Sequence, residues 1–218
     1  MVAGDDPGFQ IINGVLTPET CDAILKSLGS GNARHLMRTP AVAALAAHPQ
    51  LVDIAVRWIG STAIPFRATL FDKAGLRNWF VAWHQDATLP LKSKIESNEW
   101  GPWSTKAGVL HARAPASALN RIVALRVHLD ASSPDNGPLR VIPGSHRLGV
   151  LSSEEALRVA HQGPAMECLA ERGGIIAMRP LLIHASSKAD PSRPPRRVVH
   201  IEYADSLDLA PGTSLALS

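Results

Sequence analysis

The sequence predicts a mainly β domain of the sandwich or barrel class with a helical layer before it, at about residues 15–60. Short apolar and β-branched runs recur after residue 60, and Gly, Pro, Asn or Ser turns separate them, a pattern typical of antiparallel sandwiches and barrels. Before residue 60 the apolar residues recur at helical spacing. The whole chain, residues 1–218, has the length of a single domain.

Three helices are expected in the N-terminal layer. Thr17-Pro18 and Thr39-Pro40 each place an N-cap residue before a proline at the first helical position. Gly29 is expected to end the first of these helices, because glycine is common just past a helix C-terminus. The third helix is expected at about residues 50–59, and Gly60 follows it.

Strands are expected over much of the remaining chain. The runs with strand character are 64–71, 80–85, 122–130, 139–142, 165–169, 175–178, 181–185 and 198–203. Ser152 and Glu155 form a capping box, which predicts a short helix that ends at about His161. Residues 87–120 show weak periodicity and are expected to form a long lid or binding loop. A turn is expected at residues 75–78.

Composition argues against several classes of protein. Hydrophobic residues make up 45% of the chain and charged residues 19%, as expected for a packed domain. A net charge of +3 gives no concentrated basic face for nucleic acid, and no apolar run is long enough for a membrane span. The N-terminal residues lack the apolar segment of a signal peptide, and two cysteines cannot build a disulfide framework. A cytoplasmic protein is therefore expected.

Three residues are candidate metal ligands. His84-Gln85-Asp86 places an imidazole and a carboxylate two positions apart, on the same side of a strand. His184 follows 100 residues after His84 and must come from a second strand. Two histidines and one carboxylate hold the metal of non-haem Fe(II) oxygenases on one face and leave other positions open. The pattern therefore predicts an enzyme rather than a binding module.

The tripeptide His-x-Asp is weak evidence by itself, because the chain holds a second copy, His128-Leu129-Asp130. There Asp130 is interpreted as the end of a strand. The first copy follows an aromatic-rich run and precedes the long segment, which favours a metal site at the mouth of a barrel. His184 closes the apolar run 181–183, so a buried strand could deliver it to that mouth. In isolation, such a histidine is more often a hydrogen-bonded core residue.

Three segments, in this order, resemble the phytanoyl-CoA dioxygenase family. They are Trp83-His84-Gln85-Asp86, the run from Asn136-Gly137 to Pro143-Gly144-Ser145-His146, and Pro180-Leu181-Leu182-Ile183-His184-Ala185-Ser186. The resemblance extends over about residues 64–203. It implies a double-stranded β-helix, a jelly roll of the cupin-like type with its core at about 64–204, and an oxygenase that uses Fe(II) and 2-oxoglutarate.

The resemblance also implies individual roles. The residues that match the family's iron ligands are His84, Asp86 and His184. Arg196 matches the arginine that pairs with the distal carboxylate of 2-oxoglutarate, and a guanidinium suits a carboxylate because it offers a planar fork. Arg196 lies one residue further from His184 than the family pattern implies, so Arg193 and Arg197 are its rivals. We expect Arg197 to point to the opposite face of the same strand.

Three further residues match co-substrate contacts of the family, namely Ser186, Thr69 and Arg126. Arg126 departs from the family pattern, which can place an aromatic residue there, and it fits a strand-surface arginine equally well. Related halogenases lack the carboxylate ligand, so the presence of Asp86 implies hydroxylation or a related oxidation.

The implied reaction consumes O2 and 2-oxoglutarate, hydroxylates a small organic substrate and releases succinate and CO2. Basic residues near the expected lid favour an anionic substrate, although lysines in loops are usually only solvated; they are Lys92, Lys94, Lys106 and Arg113. One alternative is a non-catalytic metal-binding jelly roll, acting as a sensor or scaffold. A second is a cupin-type metalloenzyme that does not use 2-oxoglutarate. Arg196 and Ser186 argue against both, because only the co-substrate needs them.

Several other residues are weaker candidates for substrate contacts, namely Lys73, Asn78, Trp100, Trp103, Lys106 and His111. The alternative for the two tryptophans is that they anchor the long segment to the barrel, which is common for this side chain. His146 is interpreted as a residue that stabilises a turn.

Overall fold

The structure is a computed structural model that describes residues 6–60, 62–73 and 78–218. Most of the turn predicted at residues 75–78 lies outside the described residues. Among the described residues, no helix combines the length and the apolar character that crossing a membrane requires.

One strand and three helices form the N-terminal part of the chain. They are β1 (Phe9–Ile12), α1 (Pro18–Leu28), α2 (Pro40–Ala46) and α3 (Pro49–Ile59). The three predicted helices are confirmed, with Thr17 capping α1 by accepting from the N–H of Thr20. Gly60 ends α3 in the left-handed conformation, which glycine adopts without strain. The sequence pattern did not predict β1.

The rest of the chain is mostly strands, with two further helices. The elements are β2 (Ile64–Lys73), β3 (Val81–His84), β4 (Thr88–Leu91), β5 (Trp103–Lys106), β6 (Val109–Arg113), α4 (Ala116–Leu119), β7 (Ile122–His128), β8 (Leu139–Val141), α5 (Ser153–Gln162), β9 (Met166–Cys168), β10 (Ile175–Met178), β11 (His184–Ser186), β12 (Arg196–Ala204), β13 (Asp208–Ala210) and β14 (Thr213–Ser214). The capping box predicted for α5 is present.

Two antiparallel sheets form the core. One has the strand order β1-β10-β7-β12-β2, and the other has the order β3-β11-β8-β9. Side chains of the five-stranded sheet, such as Ala124 and Ile176, share a buried cluster with Leu139 and Val141 of the four-stranded sheet. The two sheets therefore pack face to face, as predicted for a sandwich.

The helical layer covers the other face of the five-stranded sheet. Val123, Leu125 and Val127 of β7 share a buried cluster with side chains of α1, α2 and α3. Every residue of β7 is consequently buried, because a strand that is covered on both faces has no solvated side. This sheet is therefore packed on both faces, and its inward-facing side chains can reach a site between the two sheets.

The prediction of a long loop at residues 87–120 was wrong. Strands β4, β5 and β6 form a three-stranded sheet in the order β4-β6-β5, and α4 follows it. Leu89, Trp100 and Ala112 are buried in one cluster with Phe66 of β2. The strands are only four or five residues long, and Pro90 lies inside one of them, so no run was long enough to show strand alternation.

The strand predicted at residues 181–185 was also misplaced. β11 begins at His184 rather than ending just after it. Residues 181–183 form a buried turn in which the N–H of Leu182 donates to Arg179 and that of Ile183 to the hydroxyl of Ser145. A short apolar run indicates burial, but it does not distinguish a paired strand from a buried turn.

Candidate functional site

Three of the predicted residues lie together at one end of the four-stranded sheet. His84, the last residue of β3, lies opposite His184, the first residue of β11, in the pairing of these strands. Asp86 follows two positions after His84, and its N–H donates to the carbonyl of Pro180 at 2.9 Å. Its two carboxylate oxygens lie 3.7 Å from Nε2 of His84 and 3.5 Å from Nε2 of His184.

This geometry fits a divalent metal ion. One ligand atom from each of His84, Asp86 and His184 lies within 4.8 Å of the other two. Two imidazoles and a carboxylate on one side of an ion suit a first-row transition metal and leave its other positions open. Within the described parts of the chain, this is the only group of three or more such residues.

Backbone carbonyls orient both histidines. Nδ1 of His84 lies 2.8 Å from the carbonyl of Ala82, and Nδ1 of His184 lies 2.9 Å from that of Leu182. A carbonyl can only accept, so each Nδ1 carries the proton and each Nε2 keeps its lone pair. The lone pairs therefore face Asp86, as a metal site with oriented histidine ligands requires.

The protonation states in the site suit cation binding. Burial lowers the pKa of His184 to about 4, so this imidazole is neutral near pH 7 and can donate its lone pair. Burial raises the pKa of Asp86, but the positive charges that His184 and His84 carry once protonated at low pH outweigh this effect and hold the pKa below its usual range. Asp86 is therefore a carboxylate at neutral pH.

Gln85, between two of the candidate ligands, fixes their position. Its side-chain N–H groups donate to the carbonyls of Gly149 at 2.9 Å and Leu181 at 2.8 Å. Its side-chain oxygen accepts from the N–H of Leu151 at 2.8 Å. Gln85 thus joins the ligand strand to two other segments of the chain, a role that its place in the sequence did not suggest.

The second His-x-Asp copy has a different role. Asp130 forms a bidentate ion pair with Arg197, at 2.7 and 2.8 Å. Nδ1 of His128 lies 3.0 Å from the hydroxyl of Ser132, and burial lowers the pKa of His128 to about 3. The strand ends at His128, two residues before Asp130, so the interpretation that Asp130 ends it was displaced by two residues.

Two of the buried cations that line a cavity opening onto the triad lie opposite each other. Arg196 and Lys73 are each 2% exposed, and they lie opposite each other in the pairing of β12 and β2. They line a cavity of about 90 Å³ together with Ser186 and the three residues of the triad. We call this space the co-substrate pocket.

Ser186 joins the two cations of the co-substrate pocket. Its Oγ accepts from Nζ of Lys73 at 2.6 Å and from Nη2 of Arg196 at 3.3 Å. The same hydroxyl donates to the carbonyl of Gly137 at 3.0 Å. A serine hydroxyl has one proton and two lone pairs, so these three contacts use its full capacity. Ser186 therefore holds Lys73 and Arg196 in position.

The charge of these two cations is not neutralised by the protein. Neither Lys73 nor Arg196 forms an ion pair with any described residue, and Nη1 of Arg196 is buried without a hydrogen-bond partner among them. Burial, and then the charges of Arg196 and Arg126, lower the pKa of Lys73 to about 7. Burial and Arg126 lower the pKa of Arg196 to about 9. An anion bound in the pocket would reduce the repulsion among these positive charges.

The two rival arginines lie elsewhere. Arg197 pairs with Asp130 on the other face of β12, as the strand alternation predicted. Arg193 is 54% exposed and lies 3.4 Å from Asp135 and 3.8 Å from Asp190. The structure therefore brings only Arg196, among the three candidates, into the co-substrate pocket.

The other two predicted co-substrate contacts differ in position. Arg126 lines the co-substrate pocket, is 6% exposed and places Nη1 3.3 Å from Nδ1 of His200. Thr69 lines a neighbouring cavity that reaches Asp86 from another side. Phe71 borders both cavities, and His200 lies between Thr69 and Arg126 in the strand pairing.

The weaker candidates divide into structural and cavity-lining residues. Trp100 and Trp103 pack against the buried cluster beneath β4 and β6, as anchors would. The side chain of Asn78 bonds both the N–H and the carbonyl of Ala189 and so fixes the segment after β11. Lys106 and His111 line the cavity that contains Thr69.

Lys73 is the main residue whose role the sequence did not show. Its place opposite Arg196 depends on the register between β2 and β12. The Pro-rich segment between β11 and β12 hides this register in the sequence. The available signal was a lysine at the end of a strand that is otherwise largely apolar.

Comparison with known proteins identifies the family. The model of the family described as phytanoyl-CoA dioxygenase (PhyH) matches residues 4–198. The chain belongs to the phytanoyl-CoA dioxygenase family. The matched range includes the triad and both cations of the co-substrate pocket.

One curated member is similar over part of its length. The ectoine dioxygenase of Sphingopyxis alaskensis is 30% identical over 110 residues, which are 50% of this chain and 29% of that protein. The match therefore spans less than a third of that relative's length.

Solved structures share the fold over almost the whole chain. AviO1 from Streptomyces viridochromogenes Tue57 has a TM-score of 0.66 at 21% identity, covering 92% of this chain and 91% of that one. EctD from S. alaskensis with bound Fe has a TM-score of 0.65 at 20% identity, covering 91% and 73%. EctD with 2-oxoglutarate and 5-hydroxyectoine has a TM-score of 0.62 at 18% identity, covering 91% and 72%. The predicted double-stranded β-helix with an N-terminal helical layer is thus confirmed.

Proposed function

We propose that this chain is an Fe(II)- and 2-oxoglutarate-dependent dioxygenase that hydroxylates a small organic substrate. The observation that carries the proposal is the pair of buried, unneutralised cations, Lys73 and Arg196, in the same cavity as a two-histidine, one-carboxylate triad. Membership of the phytanoyl-CoA dioxygenase family supports it. Structures of the fold neighbour EctD with Fe and with 2-oxoglutarate are consistent with it.

His84, Asp86 and His184 would hold the iron. Bound iron with 2-oxoglutarate supplies the oxidising chemistry, in which O2 is consumed, succinate and CO2 are released and a C–H bond of the substrate is hydroxylated. The protein contributes two imidazoles whose Nδ1 atoms are oriented by backbone carbonyls. Fixed ligands of this kind would hold the ion beside the adjoining cavities.

Arg196 and Lys73 would hold the distal carboxylate of 2-oxoglutarate. The guanidinium of Arg196 has its Nη1 free for the ligand, while its Nε donates to the carbonyl of Asn136 at 3.2 Å. Ser186 keeps both cations at the end of the pocket, and Arg126 adds positive charge to the same wall. Opposite charges in a buried pocket give strong and oriented binding.

Thr69 is proposed to serve the substrate side of the site, because it lines the neighbouring cavity rather than the co-substrate pocket. The sensor and the cupin-type alternatives leave the two buried cations without a use, since neither binds a dicarboxylate. A cytoplasmic location remains a proposal that rests on the composition of the chain.

Replacing Arg196 tests the proposal. Arg196→Leu should raise the KM for 2-oxoglutarate by roughly tenfold or more, because a charge-assisted hydrogen bond is worth about 1.5–3 kcal/mol. The measurement is O2-dependent succinate formation at varied 2-oxoglutarate in iron-loaded protein.

Arg193→Leu is the matched control, because Arg193 is exposed and lies outside the pocket. Its KM should equal that of the wild type. An Arg196→Leu variant that folds and keeps the wild-type KM would remove the basis of the proposal.

A further inference from the structure

A second cavity reaches the triad from the side of the N-terminal layer. It has a volume of about 200 Å³ and borders Asp86, and we call it the basic cavity. Arg34 and His35 enter it from the segment between α1 and α2, and Lys106 and His111 enter it from β5 and β6. The short bridge between Ala33 and Leu70 of β2 holds the first segment beside the sheet. Basic side chains from separate parts of the chain therefore line the cavity that borders Asp86.

Only one cation of the basic cavity is neutralised. Arg67 forms a bidentate ion pair with Glu202 and also donates to the carbonyl of Thr88 at 3.0 Å. Arg34 and Lys106 form neither an ion pair nor a hydrogen bond with any residue that the structure describes. Burial, and then the charges of Arg34 and Arg67, lower the pKa of Lys106. The side-chain cations of the lining, Arg34, Arg67 and Lys106, therefore outnumber its side-chain carboxylates, Asp86 and Glu202, by one.

His35 is held in an unusual state beside these cations. Its φ angle is +58°, in the left-handed region that few residues other than glycine adopt. Both of its ring nitrogens are buried without a hydrogen-bond partner among the described residues. Buried polar atoms nearly always have partners, so unpaired ones in a cavity indicate a missing ligand. Strained backbone conformations are also common at ligand sites.

We propose that the basic cavity binds the substrate of this enzyme through an oxyanionic group, a carboxylate or a phosphate, held by Arg34, His35 and Lys106. The inference rests on the proposed function, because it takes Asp86 as an iron ligand. The substrate is therefore a small anionic molecule whose reacting carbon lies near Asp86. Sites for drug-sized ligands measure roughly 300–1,000 Å³, so only a small molecule, or the reacting part of a larger one, fits within the basic cavity.

The basic cavity is separate from the co-substrate pocket. Lys73, Ser186 and Arg196 line the pocket and not the cavity, whereas Arg34 and Lys106 line the cavity and not the pocket. Two anions can therefore bind at the same time, each with its own cations. This separation allows substrate binding to be measured while 2-oxoglutarate saturates the other site.

The test measures by calorimetry how matched compounds bind to the protein. The protein is loaded with zinc in place of iron and saturated with 2-oxoglutarate, so that this complex cannot turn over. The panel contains short-chain, cyclic and aromatic carboxylic acids with their primary amides, and phosphate monoesters with their parent alcohols. At least one anion should bind roughly tenfold or more tightly than its neutral partner. The class that shows the preference identifies the oxyanion.

Three variants test which residues produce the preference for the anion over its neutral partner. Arg34→Gln, Lys106→Gln and His35→Asn should each weaken binding of that anion by several fold or more, and asparagine tolerates the left-handed backbone of His35. Lys94→Gln is the control, because Lys94 is exposed and borders neither cavity. The visible band of the iron–2-oxoglutarate complex should remain unchanged in all four variants.

The proposal is overturned if every pair binds its neutral member as well as its anion. It is also overturned if a preference for the anion survives in all three cavity variants. Failure of the proposed function would look different, because the wild-type protein itself would then form no band with iron and 2-oxoglutarate.

Discussion

At the scale of single residues, the chemistry of the site depends on which atoms are already satisfied by the protein. The two histidines of the triad each use Nδ1 on a carbonyl, which leaves Nε2 for a metal. Ser186 uses all three of its hydrogen-bonding positions within the protein. Nη1 of Arg196, in contrast, has no partner among the described residues. The unsatisfied atoms therefore mark where ligands are expected.

Lys73 predicts a pH dependence for co-substrate binding. Its pKa is lowered to about 7 in the protein without ligands, and a bound carboxylate would favour the charged form and raise that pKa. Above about pH 7, binding must therefore take up a proton, so the affinity for 2-oxoglutarate should fall as the pH rises. The KM for 2-oxoglutarate should increase by up to roughly tenfold per pH unit there.

The Lys73→Met variant tests this dependence. Its KM should be higher than that of the wild type at about pH 6.5, and it should change little between about pH 7 and 9. Lys94→Met should keep the wild-type profile, because Lys94 is exposed. A wild-type KM that does not vary with pH over this range would contradict a role for Lys73 in binding the co-substrate.

The metal ligands could be predicted from the sequence because their spacing has a direct meaning. His84 and Asp86 lie two positions apart at the end of a strand, and His184 lies within a motif that resembles the family. The position of Lys73 could not be predicted in the same way. It depends on the pairing of Lys73 with Arg196 across two strands that are more than 100 residues apart.

At the scale of elements, turns decide how closely strands approach the co-substrate pocket. Gly137 follows a 3-10 turn capped by Ser133 and Asn136, and its φ angle is +68°. A Cβ atom there would lie 2.5 Å from the carbonyl oxygen of Ser187. The same glycine provides the carbonyl that accepts from Ser186. This position therefore needs glycine both for its conformation and for the close contact.

Gly137→Ala should destabilise the fold and weaken co-substrate binding together. Strain and the clash should cost about 1–3 kcal/mol, and the KM for 2-oxoglutarate should rise because the carbonyl that holds Ser186 shifts. The measurements are denaturant unfolding and the succinate assay.

Gly144→Ala is the matched control for this change. Gly144 also has a positive φ angle, +78°, but its Cβ would meet nothing within 4 Å. It should lose stability through strain alone and keep the wild-type KM. Equal losses of stability and unchanged KM values in both variants would show that the contact with Ser187 is unimportant.

Helices were predicted best where the sequence carries strong signals for the helix ends. The three N-terminal helices follow Thr-Pro signals or end at glycine, and α5 follows its capping box. The sheet formed by β4, β5 and β6 escaped prediction because its strands are too short to show periodicity. Its burial depends on contacts with Phe66 of a distant strand, which is information that a local pattern does not contain.

At the scale of the whole molecule, four parts of the fold meet at the triad. The four-stranded sheet carries the metal ligands, and the five-stranded sheet carries Lys73, Arg126 and Arg196. The N-terminal layer and the small sheet add Arg34 and Lys106 to the cavity on the other side. The proposed substrate side is therefore built from segments outside the three family motifs, and the sequence suggested Lys106 for it but not Arg34.

The iron–2-oxoglutarate complex tests the central claim most directly. Metal-free protein is mixed anaerobically with Fe(II) and then with 2-oxoglutarate, and the visible charge-transfer band is recorded before and after O2 is admitted. We predict a band that bleaches on exposure to O2 with formation of succinate, and no succinate formation by Asp86→Ala. Iron that binds to the wild-type protein without producing a band, or full succinate formation by the Asp86→Ala variant, would contradict the assignment of the site.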